Sequence, residues 1–314
     1  MILSYKANQE ATLRATLMVL LIAAFVGYSF MVISLLKFGT ISLPFGPKPA
    51  IHHLSVITPR VKNDPGKSWT YNFATMPTGS LPSLDWNFEV GNKVALYNEE
   101  AQTYTARQAN VRIEDGALVL EARKENLNGK QFTSGRINTK GIFDFTYGTL
   151  EITAQLPEGV GTWPSVWLLP SSPRYKPTTY GVANKDRLAW AVNGEIDVLE
   201  SIGSLPNQNL PHLHTYNELS APPYLTPGYT NDAYGAYHRY GVIKTPNKIT
   251  FTIDGQPFYS QSKTSNNPLD WPYDQPYYLI ANLAIGGNWE KTIVDADSWA
   301  PHDFKIQSIS YKPL

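Results

Sequence analysis

Cysteine is absent from this chain of 314 residues, so neither a disulfide nor a thiolate nucleophile contributes to its fold or chemistry. Excess charge is absent too. The 26 basic and 26 acidic side chains cancel, which removes any general attraction to nucleic acid or acidic polymers. No phosphate loop, dinucleotide glycine motif or metal-ligand spacing stands out. No internal repeat is visible. Outside one N-terminal run, no long segment keeps a 3.6-residue apolar period. What the chain does have is 24 prolines, 22 glycines and 19 tyrosines, a mixture that suits a turn-rich β protein.

The N-terminal run, 15–36 (ATLMVLLIAAFVGYSFMVISLL), carries no charge. As a helix it would extend about 33 Å, enough for a bilayer core. It exceeds the apolar stretch of a cleavable signal, and no small-x-small cleavage site follows it. An uncleaved anchor is therefore expected, with a removed signal as the alternative. Lys6 and Arg14 before the run nearly balance Lys37 and Lys48 after it, so orientation is weakly encoded. Residues 1–14 read as a short tail and 37–68 as a tether with scattered Pro and Gly. Residues 69–314 have the composition of one globular domain.

Strand signals recur in that domain. Leu150, Ile152, Ala154 and Leu156 alternate with Glu151, Thr153 and Gln155, a period of two with one buried face. Ile249, Phe251 and Ile253 repeat the pattern and meet Asp254-Gly255, a strong hairpin signal. Asp115-Gly116 separates two further apolar runs in the same way. Residues 277–284 and 304–311 read as later strands. The expected architecture is all-β: two packed antiparallel sheets, a sandwich of jelly-roll type.

The densest chemistry lies in Gly194-Glu195-Ile196-Asp197-Val198-Leu199-Glu200. Three carboxylates on one short apolar segment cost folding free energy unless they line a wet cleft. On a strand Glu195 and Asp197 share a face, and Glu200 has the opposite parity. One extra residue, a β-bulge at Val198-Leu199, would restore the parity and aim Glu200 into the same cleft. The outer glutamates would then stand about 13 Å apart at Cα. Long side chains leaning inward would bring their carboxyls to the roughly 5 Å that a retaining glycosidase uses. In that chemistry Glu195 is the nucleophile, Glu200 the acid/base, and Asp197 tunes both. A calcium site is the alternative use of clustered acids, although calcium loops favour Gly- and Asp-rich turns over apolar spacers.

At these residues the chain resembles glycoside hydrolase family 16, in its laminarinase-like branch of endo-β-1,3-glucanases. The Glu-x-Asp-x-x-Glu pattern is that branch's bulged form. Thr133-Ser134-Gly135-Arg136-Ile137, Tyr147-Gly148-Thr149-Leu150-Glu151, the Trp163-Pro164-Ser165-Val166-Trp167-Leu168-Leu169-Pro170 run and the segment from Trp271 to Trp289 are similar to the family's as well. The match runs in order from about Asn98 to Tyr311. The resemblance implies a β-jelly roll with a sugar cleft, β-glucan as substrate and no cofactor. A calcium site on the far sheet, common in the family, would use an acid such as Asp303. Tyr71-Asn72-Phe73 stands where the family has Asp-Glu-Phe, which removes ligands from that site. The family's Gly-Thr-Val-His reads Pro211-His212-Leu213-His214 here, so only His214 carries over. Its Glu-Trp-Thr-Pro reads Ile243-Lys244-Thr245-Pro246.

All eight tryptophans lie in the domain, and a flat indole complements the apolar face of a sugar. By resemblance Trp163 and Trp167 line the glycone side of the cleft, with core packing as the alternative for each. Trp289 is placed at the cleft edge, and Trp86 and Trp299 in core or rim. Arg136 and Asn282 match residues that contact sugar hydroxyls, against the plainer reading of sheet-face polar residues. His214 is expected near Glu200 on the leaving-group side. The reading is a membrane-anchored, extracytoplasmic, monomeric β-1,3-glucan hydrolase, or a secreted one if the run is cleaved. A glucan transglycosylase and a non-catalytic tethered carbohydrate binder are the rivals. Binding needs the tryptophans but not three acids.

Overall fold

A computed structural model describes residues 66–314, apart from 82, 94–97, 175–190, 217–225, 292 and 294–298. The tail, the expected span 15–36 and most of the tether 37–68 lie outside the described residues. Among the described residues no helix is long and apolar enough to cross a membrane, and a 3₁₀ turn spans Phe73–Thr75.

The strands, in chain order, are β1 (Trp69–Asn72), β2 (Asn87–Phe88), β3 (Gln102–Tyr104), β4 (Val111–Glu114), β5 (Ala117–Leu127), β6 (Lys130–Ser134), β7 (Arg136–Asn138), β8 (Gly148–Gln155) and β9 (Thr162–Pro170). They continue with β10 (Glu195–Glu200), β11 (Gln208–Asn209), β12 (His212–His214), β13 (Gly228–Tyr229), β14 (His238–Thr245), β15 (Lys248–Ile253), β16 (Gln256–Ser262), β17 (Tyr277–Ile285) and β18 (His302–Lys312). A six-stranded sheet runs β12-β10-β9-β17-β7-β2. A ten-stranded sheet runs β16-β15-β14-β8-β18-β5-β6-β3, with β1 on β18 and β4 on β5. Pairing is antiparallel except between β3 and β6.

One apolar core lies between the sheets. Leu150, Ile152 and Ala154 of β8 are fully buried in it, as the alternation requires. Val166, Leu168, Leu279, Ala281 and Leu283 meet them from the six-stranded sheet. Each leucine, isoleucine or valine among them contributes about 1.5–3 kcal/mol on burial. The opposite parity of β9 and β17, namely Trp163, Ser165 and Trp167 with Asn282 and Ala284, is therefore turned to the outer face. Trp86 and Trp299 belong to the core.

The turns follow the residues that tolerate them. Asp115-Gly116 and Asp254-Gly255 hold φ of +49°/+75° and +50°/+79°, the left-handed pair a type I′ hairpin needs. Asn128-Gly129, between β5 and β6, does the same at +51°/+76°, a hairpin the strand patterns had not marked.

Candidate active site

Gly194 opens β10 with φ +81°, and a Cβ there would stand 2.5 Å from the Tyr277 hydroxyl. Only glycine enters the strand along this path. β10 then pairs with β9. Asp197 faces Trp167 and Leu199 faces Val166, so Val198 is an extra residue and the register shifts across it. The bulge expected at Val198-Leu199 thus sits at Val198. Both Val198 and Leu199 pack into the core, and Glu200 returns to the outer face opposite Ser165.

The bulge is clamped by a side chain that the sequence patterns do not single out. Asn209 Oδ1 accepts from the Glu200 amide at 2.9 Å, and Asn209 Nδ2 donates to the Val198 carbonyl at 3.1 Å. Asn209 is 2% exposed. It satisfies both backbone groups that the extra residue pulls out of the ladder.

The three acids share the outer face. Glu195 and Asp197 are buried, while Glu200 keeps part of its surface open. His214 is in register with Glu195, and its Nε2 lies 3.0 Å from Asp197 Oδ2 and 3.6 Å from Glu195 Oε1. The imidazole expected beside Glu200 therefore stands against the other two acids. Removal from water raises the Glu200 carboxyl well above its ordinary range, and the charges of Asp197 and Glu195 push it the same way. His214 and the indole N–H of Trp163 oppose the rise. The arrangement favours the protonated form of Glu200, the state that the acid of a sugar-cleaving pair needs.

Trp163 is 9% exposed and offers little open face for stacking. Its Nε1 donates to Glu200 Oε1 at 3.0 Å, and Trp289 meets its ring edge-on at 5.4 Å. The indole thus fixes the acid rather than serving as an open platform. Trp167 stays partly open. Its Nε1 donates to Asn282 Oδ1 at 2.7 Å, and the Arg136 guanidinium lies 4.8 Å from its ring centre. Across the sheet Ser165, Asn282 and Arg136 stand in one row. All the residues expected at the site therefore lie on this face or at its rim. The turn carrying Trp289 needs Gly287, where a Cβ would stand 2.8 Å from the Asn98 carbonyl.

Two acids escaped the motifs. Glu89 accepts from Arg136 Nε at 2.9 Å and from Asn138 Nδ2 at 2.7 Å, fixing the two polar side chains of β7. Glu100, 5% exposed, accepts from Asn98, Gln102 and Tyr104. Two sites bear on metals. One atom each of Asp197, His212 and His214 lies within 4.8 Å of the others. On the other sheet Asp303 stands 4.0 Å from Arg112 and 3.9 Å from Lys305, two cations that compete with any calcium ion there.

The model of the glycosyl hydrolases family 16 matches residues 98–300. A beta-glucanase of Rhodothermus marinus is 37% identical over 212 residues, 65% of this chain and 70% of that protein. A glucan endo-1,3-beta-glucosidase of Cryptopygus antarcticus is 31% identical over 261 residues, 77% of this chain and 91% of that one. The crystal structure of the laminarinase from Rhodothermus marinus superposes with a TM-score of 0.69 at 32% identity, covering 82% of this chain and 99% of that one.

Proposed function

The chain belongs to the glycosyl hydrolases of family 16 and is an O-glycosyl hydrolase, and on that premise we propose that it cleaves β-1,3-glucan internally, with retention of configuration, by double displacement. Glu195 attacks the anomeric carbon while Glu200 donates its proton to the departing glycosidic oxygen. The sugar is then held as an ester of Glu195. Glu200, now ionised, takes a proton from water as the water's oxygen attacks the same carbon and releases Glu195. Asp197, between them, keeps the proton affinity of Glu200 high while His214 anchors its carboxylate. Arg136, Asn282 and the partly open Trp167 supply the sugar-binding surface beside this pair. No cofactor enters.

The observation that carries the proposal is the bulge at Val198, which turns Glu200 onto the face that holds Glu195 and Asp197. The β-1,3-glucan assignment draws on the printed activities of the relatives, and the uncharged run 15–36 supports tethering outside the cell, where polysaccharides lie.

The test is product analysis on laminarin, mixed-linkage β-glucan and galactan, with proton NMR of the first-formed anomer. Laminarin should yield oligosaccharides whose new reducing ends appear first as the β anomer. An α anomer first would exclude the two-step route. Longer products without new reducing ends would mark a transglycosylase instead.

A further inference from the structure

The proposed chemistry uses one of two imidazoles on β12. His212 and His214 are two residues apart on one strand, so both side chains leave the same face. The β10–β12 register sets His212 across from Asp197 and His214 across from Glu195. The two rings stack with centroids 3.7 Å apart and planes 29° from parallel. One ligand atom from each of Asp197, His212 and His214 lies within 4.8 Å of the other two. Asp197 and His212 are 3% and 7% exposed, so the cluster is pre-assembled on a rigid sheet.

The donor set decides which ion would fit. Two imidazole nitrogens and one carboxylate oxygen suit zinc, nickel or copper, whereas calcium and magnesium ask for more oxygens. Zinc takes such ligands at about 2.0–2.2 Å, which places tetrahedral neighbours roughly 3.4 Å apart. Small rotations of the imidazoles close that gap. Three protein ligands would leave a fourth position open.

We propose that Asp197, His212 and His214 form a binding site for a zinc-class dication, and that its occupation shuts off glucan cleavage. The ion would take the Asp197 carboxylate and the His214 nitrogen that now faces it, and would place a double positive charge beside Glu195. The second half of the proposal rests on the catalytic reading above. The first half stands on the geometry of β10 and β12 alone.

The test uses the full chain stripped of metal by a chelator. Co²⁺ is titrated and followed by its visible d–d absorption, Zn²⁺ by calorimetry, and laminarin hydrolysis is measured with and without Zn²⁺. One ion per chain, intense Co²⁺ bands and loss of hydrolysis with zinc are expected. His212→Gln should still hydrolyse laminarin in metal-free buffer and should weaken both zinc binding and inhibition about tenfold or more. Absence of a Co²⁺ spectrum in the wild type overturns the site without any variant, so a misfolded His212→Gln leaves the test intact. Zinc binding that His212→Gln does not change also overturns it. A wild type that binds zinc through His212 but cleaves no glucan upholds the site and overturns the proposed function.

Discussion

Desolvation shifts the titration of two groups away from their ordinary range, Glu200 upward and Lys244 downward. For Glu200 the consequence is a carboxyl that keeps its proton among other acids. For Lys244 burial pulls the ammonium down to about 7, with Asp274 opposing. Its Nζ donates to the Thr146 and Gln275 carbonyls at 2.5 and 2.9 Å, and it lies 4.6 Å from the centre of the Tyr277 ring. The unfolded chain holds this proton up to about pH 10.4. Between about 7 and 10 the unfolded state therefore binds more protons, and stability rises with pH by about 1.4 kcal/mol per unit for this one group. Below about 7 that gain is gone. Lys244→Met removes the titration, so the stability of the wild type relative to the variant should climb from pH 7.5 to 9.5 in urea unfolding. A difference independent of pH would show that Lys244 is not held neutral. Nothing in the sequence marks this residue as interior. Tyr240 and Val242 set its parity, but a lysine reads as solvated, and only the carbonyls of two distant turns make its burial tolerable.

At the scale of the element, β10 shows how one residue redirects chemistry. The spacing Glu-x-Asp-x-x-Glu gave the bulge away, because strand alternation leaves no other means of putting Glu200 beside Asp197. The same rule makes a prediction. Deleting Val198 leaves Glu-Ile-Asp-Leu-Glu, in which a plain strand already puts all three acids on one face. That variant should still cleave glucan, less stable by about 2–5 kcal/mol for the lost buried side chain. Deleting Val198 and Leu199 together instead leaves Glu-Ile-Asp-Glu, in which alternation turns Glu200 to the opposite face, and this should abolish cleavage. Retained activity in the double deletion would mean that parity does not control the site. The clamp was not legible. Asn209 lies in a polar stretch with turn composition, and its role exists only because that stretch returns along β10.

The whole molecule supplies what local pattern cannot. The alternation of β8 and the hairpin glycines predict strands and turns from nearest neighbours. The outer face of the six-stranded sheet instead assembles residues far apart in sequence. Glu89 is 47 residues from the Arg136 it holds, and Trp167 is 115 residues from Asn282. Motif similarity reached Arg136 and Asn282. Glu89 belongs to no motif and becomes visible only once β2 pairs with β7. The role of Trp163 changed for the same reason, since its burial against Trp289, Ile202 and Leu210 depends on loops that pack over the sheet. The outer face of the six-stranded sheet thus gathers the two acids to which the proposed mechanism gives the attacking and proton-shuttling roles. Azide with the Glu195→Ala variant probes that division most directly, because the small anion fits where the missing carboxylate stood. An activated aryl β-glucoside of laminari-oligosaccharides should give the α-configured glycosyl azide, while Glu200→Ala should give the β-configured one through the intact Glu195. An unrescued or β-configured product from Glu195→Ala would contradict the account.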